Sequence, residues 1–211
     1  MKPILSALFL MLALILPLRA ADKPEALANS VAALVNPAKL ASLKDRGAIP
    51  RVQKYTAQLA LAKQDGNDPD KVAAEAVALA GMKGESAKIT LEAMLRNLRI
   101  AEALGCTDEA GLKSMRHGQA ATVQRGPYQG EQLSVDHIIP RKVAPELDNV
   151  IANLELMPLR MNASKSASVG DRQVSLAKRL RKAGLLSKAG YAAVTAAQPK
   201  HPRSPAKKST K

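Results

Sequence analysis

The chain has 211 residues, with 32 Lys and Arg against 18 Asp and Glu, for a formal net charge of +14. That length allows one medium domain or two small ones, and the basic excess points to polyanions such as DNA, RNA or an anionic envelope. The single cysteine, Cys106, excludes an intramolecular disulfide and a cysteine-rich zinc framework, and three tyrosines are too few to grip single strands by stacking.

Residues 1–20 read as a secretory signal peptide: Lys2, an apolar run over 4–16, then Pro17-Leu18-Arg19-Ala20. An apolar run of this length is short of the roughly 20 residues that a membrane span needs. Cleavage after Ala20 is expected, with an uncleaved N-terminal anchor as the rival. The mature chain is therefore expected to be exported, periplasmic or extracellular, with no stable membrane insertion. Losing Lys2 and Arg19 takes the 32 basic residues to 30 against 18 acids, so the net charge stays at +12.

Residues 21–117 form a helical accessory region in this reading, rich in Ala, Leu, Lys and Glu. Helices are expected over 24–35, 38–44, 52–63, from Pro69 to Gly81 or Gly84, over 86–104 and over 108–116. Asn36-Pro37 breaks the first helix, and Asp68 caps the fourth with Pro69 at its first position. Leu91, Leu95, Leu98 and Ala101 share one stripe, and Gly105 ends that helix. Nothing in this half clusters chemistry.

At Gly118 the texture changes to β-branched residues and turn signals, opening a region that runs to residue 198. Residues 122–124 and 132–136 read as strands joined through Arg125-Gly126-Pro127-Tyr128-Gln129-Gly130. Pro140 and Pro145 hold an irregular loop, Asn153 opens a third run over 154–157, and Pro158 starts a helix carrying Asn162 and Lys165. A basic helix follows over 171–183, with Val174, Ala177 and Leu180 inward. Gly184 ends it, and Ser187 caps a last helix through Ala197. Residues 199–211 read as a basic disordered tail, with five cations, no acid and three prolines.

The stretch 131–166 carries the chemistry. Phosphodiester hydrolysis needs an activated water and a cation to meet charge on the phosphorane. A neutral imidazole near its usual pKa of about 6.5 suits His137 to take the proton. Asp136 precedes it, and neighbours on a strand point to opposite sides, so both reach one site only if the strand ends or bends here. Asp136 and Asn162 offer an oxygen-only ligand pair, which waters and phosphate would complete, and which suits magnesium. Asn153 can bond backbone across the loop and fix how His137 points. Arg141, Arg160 and Lys165 supply cations for phosphate. His117 and His201 are expected to lie outside the chemistry, and Cys106 to be buried.

Asp136-His137-Ile138-Ile139-Pro140, Asn153-Leu154-Glu155-Leu156 and Asn162-Ala163-Ser164-Lys165 together resemble the HNH endonuclease motif, in the variant with Asn in place of the final His. The spacings, 16 residues from His137 to Asn153 and 9 from Asn153 to Asn162, agree with that family. The resemblance implies a ββα-metal fold, with His137 at the first strand, Asn153 beside the second and Asn162 on the helix. It implies His137 as general base, Asp136 and Asn162 on one divalent metal, and products with 5′-phosphate and 3′-hydroxyl ends. Zinc knuckles that brace many members are missing here, so flanking helices must do that bracing.

The expected whole is a mainly α protein: an N-terminal helical region, an HNH module with a ββα-metal core, and C-terminal helices. Its expected function is metal-dependent cleavage of DNA, with RNA as a further substrate. The rival is a catalytically inactive basic protein that binds nucleic acid or the envelope.

Overall fold

The described residues of this computed structural model are 24–165 and 168–199, so the expected signal peptide and the tail beyond Pro199 lie outside them. Helix dominates, and the described strands make a single two-stranded sheet. No helix among the described residues is long and apolar enough to cross a membrane.

Helix α1 spans Pro24–Val35 and stops at Asn36, whose side chain accepts from Lys39 N at 3.1 Å and so starts α2, Pro37–Ala41. The expected helix over 38–44 thus ends early. Its last residues are pulled out of helical bonding by a distant amide, since Asn149 Nδ2 donates to the carbonyls of Leu43 and Lys44 at 3.3 and 3.2 Å. Helix α3, Ile49–Gln64, begins three residues before the expected start, because Pro50 is tolerated in a first turn. Helix α4, Pro69–Leu79, carries the Asp68 cap read from the sequence. Helices α5, Gly84–Ala103, and α6, Glu109–Arg116, follow, the second capped by the Asp108 carboxylate on Gly111 N at 2.8 Å.

Strand β1, Leu133–His137, pairs antiparallel with β2, Leu154–Pro158, in a register that sets Asp136 against Glu155 and His137 against Leu154. Residues 122–124 do not form the expected strand. Only Thr122 bridges to Gln132. Val123 N still donates to Glu131 O and Val123 O accepts from Gly130 N, both at 2.8 Å, but Gln124 N and Arg125 N turn to Leu104 O, at 2.9 and 3.2 Å, so the end of α5 stops the pairing there. Helix α7, Leu159–Ser164, leaves β2 directly and packs back on the sheet. Helices α8, Asp171–Lys182, and α9, Lys188–Ala196, close the chain, with Ser187 capping α9.

A two-stranded sheet is marginal by itself in water, and the helical half braces this one. Residues from Leu27 to Met115 share one apolar core with Leu133, Val135, Ile151, Leu154 and Leu156. Polar side chains then bind the strands' backbone. Gln53 on α3 donates to Leu133 O at 3.1 Å. Asn97 on α5 donates to Leu154 O at 3.2 Å and accepts from Leu156 N at 2.9 Å, standing in for a third strand. Asn97 also donates to the Tyr55 hydroxyl at 2.7 Å, and burial pushes that phenol up to about 12. A second cluster, with Ile139, Leu147, Leu180, Leu186 and Val194 among its members, seats α8 and α9 against the loop between the strands.

Candidate active site

Strand β1 stops at His137, and there Asp136 and His137 line one cleft of about 560 Å³. The ladder ends where the two side chains would otherwise diverge. Arg46, Arg141, Lys142 and Lys165 complete the polar lining, with Pro140 and Pro145. Four cations therefore surround one carboxylate and one imidazole, which makes the cleft attractive to an anion.

His137 is nearly buried, at 9% exposure. Its Nε2 lies 2.9 Å from Asp148 O. A carbonyl can only accept, so the neutral ring carries its proton on Nε2 and keeps Nδ1 as the basic nitrogen. Asp148 Oδ1, 3.0 Å from the same Nε2, is buried and accepts no hydrogen bond among the described residues.

Asn153 is fully buried, and none of its described side-chain hydrogen bonds goes to His137. Its Oδ1 accepts from Ile139 N at 2.8 Å, while its Nδ2 donates to Ile139 O at 3.1 Å and Leu147 O at 3.4 Å. One amide thus ties down both ends of the loop that follows His137. Any effect on the imidazole runs through backbone.

Asp136 bonds the Lys165 ammonium, which also donates to His137 O at 3.1 Å. Asn162 Nδ2 donates to Ser134 Oγ at 3.1 Å, and Ser134 and Asp136 share the half-buried face of β1. Among the described residues no three or more of His, Cys, Asp and Glu are grouped to hold a metal. Asn162 does not line the cleft in which Asp136 and His137 meet, and its one described hydrogen bond goes to Ser134.

The cations divide. Arg141 lies 3.5 Å from Asp148 Oδ1 through Nε and 3.1 Å from Asp45 Oδ2 through a terminal nitrogen. Arg160 is elsewhere: it pairs with Glu131 at 3.0 Å, lies over the Tyr128 ring at 5.4 Å, and does not line the cleft. Arg46 and Lys142 line it without having been singled out in the sequence, and Asp148 is the partner of His137 that went unread. Asp45-Arg46-Gly47 and Asp148-Asn149 are ordinary polar stretches of loop, with nothing in either to mark a site. His117 is the C-cap of α6, and Cys106 is buried, its thiol pushed up to about 11 by that burial.

No family model, no curated protein and no solved structure matches this chain. The reading of its function therefore rests on the cleft.

Proposed function

We propose that this protein is an exported, metal-dependent endonuclease of the HNH type that hydrolyses phosphodiester bonds in DNA, with RNA as a further substrate. The observation that carries the reading is the meeting of Asp136 and His137 at the end of β1, in a cleft walled by Arg46, Arg141, Lys142 and Lys165. The order of β1, loop, β2 and α7, with Asn153 bonded across the loop, fits the ββα-metal fold that the motif implies.

In this reading His137 Nδ1 takes a proton from water, the water oxygen attacks phosphorus, the bond to the 3′ oxygen breaks, and that oxygen takes its proton from a solvent water. The products carry a 5′-phosphate and a 3′-hydroxyl. Asp136 and Asn162 would hold a magnesium ion, which when bound supplies positive charge to the phosphorane and the leaving oxygen. Asp148 holds the ring in the reactive tautomer, and Asn153 holds the loop that carries it.

The rival, binding without cleavage, draws on one observation: Lys165 pairs with the Asp136 carboxylate that a metal would need. Plasmid nicking separates the two. The mature protein with magnesium is expected to nick, EDTA to abolish nicking, and His137→Ala to slow it by a hundred-fold or more, on the order of the 10²–10⁴ supplied by a general base. A His137→Ala protein that cuts at the parent's rate removes His137 as the base. Salt-sensitive binding by a parent that never cuts establishes the rival.

A further inference from the structure

The turn over 42–48 belongs to the helical half of the chain, yet it forms a wall of the cleft. Asp148 and Asn149 hold it there. Arg46 N donates to Asp148 Oδ2 at 2.8 Å and Ala48 N to Asn149 Oδ1 at 2.9 Å, beside the two carbonyls that Asn149 Nδ2 already binds. Held this way, Arg46 takes a φ of 57°, the single left-handed non-glycine among the described residues. Arginine does not enter that region readily. Such strain persists where surrounding structure over-determines it, and it concentrates at ligand sites.

What the strained turn delivers is a side chain. Arg46 is exposed and lines the cleft beside Arg141 and Lys142. None of the described ion pairs includes Arg46 or Lys142. The Asp45 partner of Arg141 has a side chain 86% exposed, so that pair is weak and a better anion displaces it. The Asp148 carboxylate meanwhile touches the turn, Arg141 and His137 at once, which sets these cations in register with the imidazole.

We propose that Arg46, Arg141 and Lys142 form a phosphate subsite, which binds a nucleic-acid backbone phosphate flanking the one cut beside His137. The helical half thereby supplies part of the substrate-binding surface. The proposal rests on the nuclease reading above and specifies where the strand lies on that site.

The test measures binding of a fluorescent DNA duplex by anisotropy, in EDTA over a salt series, with cleavage in magnesium followed in parallel. The proteins are the mature parent, Arg46→Gly and Arg46→Lys. Glycine suits a positive φ, so Arg46→Gly should melt no lower than the parent, and a loss of binding then cannot be laid to unfolding. Arg46→Gly is expected to bind about ten-fold more weakly, with the slope of log affinity against log salt reduced by about one. Arg46→Lys keeps most of that slope. Arg46→Gly with the parent's affinity and slope overturns the subsite while leaving the nuclease reading in place. A parent that binds but never cuts, with the Arg46→Gly loss intact, keeps the subsite and removes the nuclease. A parent that does neither removes both.

Discussion

Asp136 and Glu155 stand directly opposite each other in the ladder between β1 and β2, two carboxylates on one face of a two-stranded sheet. Like charges in that position destabilise a sheet unless each is compensated. Here each has its own cations. Lys165 bonds Asp136, while Glu155 lies 3.1 Å from Arg96 and 2.5 Å from Arg172.

Removing Lys165 should therefore expose the repulsion and at the same time free Asp136 for a metal. Lys165→Met is expected to lose about 1–2 kcal/mol, a drop of a few degrees in Tm. Magnesium should then raise the Tm of Lys165→Met more than that of the parent, because the ion has no ammonium to displace. Thermal melts with and without magnesium chloride check this. A variant that magnesium leaves unmoved counts against Asp136 as a metal ligand.

Asn153 is the next point of leverage. Asn153→Ala would orphan the buried N–H and carbonyl of Ile139, while the Leu147 carbonyl would keep its bond from Val150 N, with a cost of about 2–4 kcal/mol. Asn153→Asp keeps the acceptor for Ile139 N but loses both donations, and should still be impaired. Urea unfolding measures the stability of each, and nicking by the folded fraction measures the site. A folded Asn153→Ala protein with the parent's nicking rate would leave Asn153 a purely structural residue.

Helix ends were legible in the sequence because their causes are local. Asp68 with Pro69, Asn36 with Pro37, and Ser187 each act within three residues of where they stand: Asp68 and Ser187 cap the helices expected of them, and Asn36, expected only to break the first helix, also caps the second. The second and third apolar runs were legible as strands for the same reason, and they pair with each other. Residues 122–124 carried the same β-branched texture, but their pairing stops at Val123 because Gln124 N turns to Leu104 O, which no pattern in their own stretch announces. In the site, Asp136, His137 and Lys165 could be read from spacing because all three lie close along the chain. Arg46 could not, since it reaches the cleft only through a bond to Asp148, 102 residues away. Arg160 has the composition of a phosphate ligand, but Glu131 and Tyr128 hold it elsewhere.

Acid should loosen the seam between α5 and α8. Arg179 bonds Glu92 twice, at 2.6 and 3.2 Å, and this pairing holds the Glu92 carboxyl below its ordinary 4.5. A carboxyl depressed by folding stabilises the protein above its unfolded value, and that contribution is lost as pH falls through the lowered one. Urea midpoints are expected to hold between pH 7 and 5 at this seam and to fall below about pH 4.5. Glu92→Gln should be weaker at pH 7 and lose less on acidification. An acid limb as steep in Glu92→Gln as in the parent would place the loss at other carboxyls.

Gln53, Arg96 and Asn97 all lie earlier in the chain than the strands whose carbonyls they bind. Seen in time rather than space, the scaffold is made before the thing it scaffolds. Contacts of long sequence separation carry the larger loop-closure cost and are the slower ones to form. The bond from Arg46 to Asp148 is among the longest-range closures in the molecule, and it is also the bond that sets one wall of the cleft. The helices are thus synthesised before the residues that close the cleft against them.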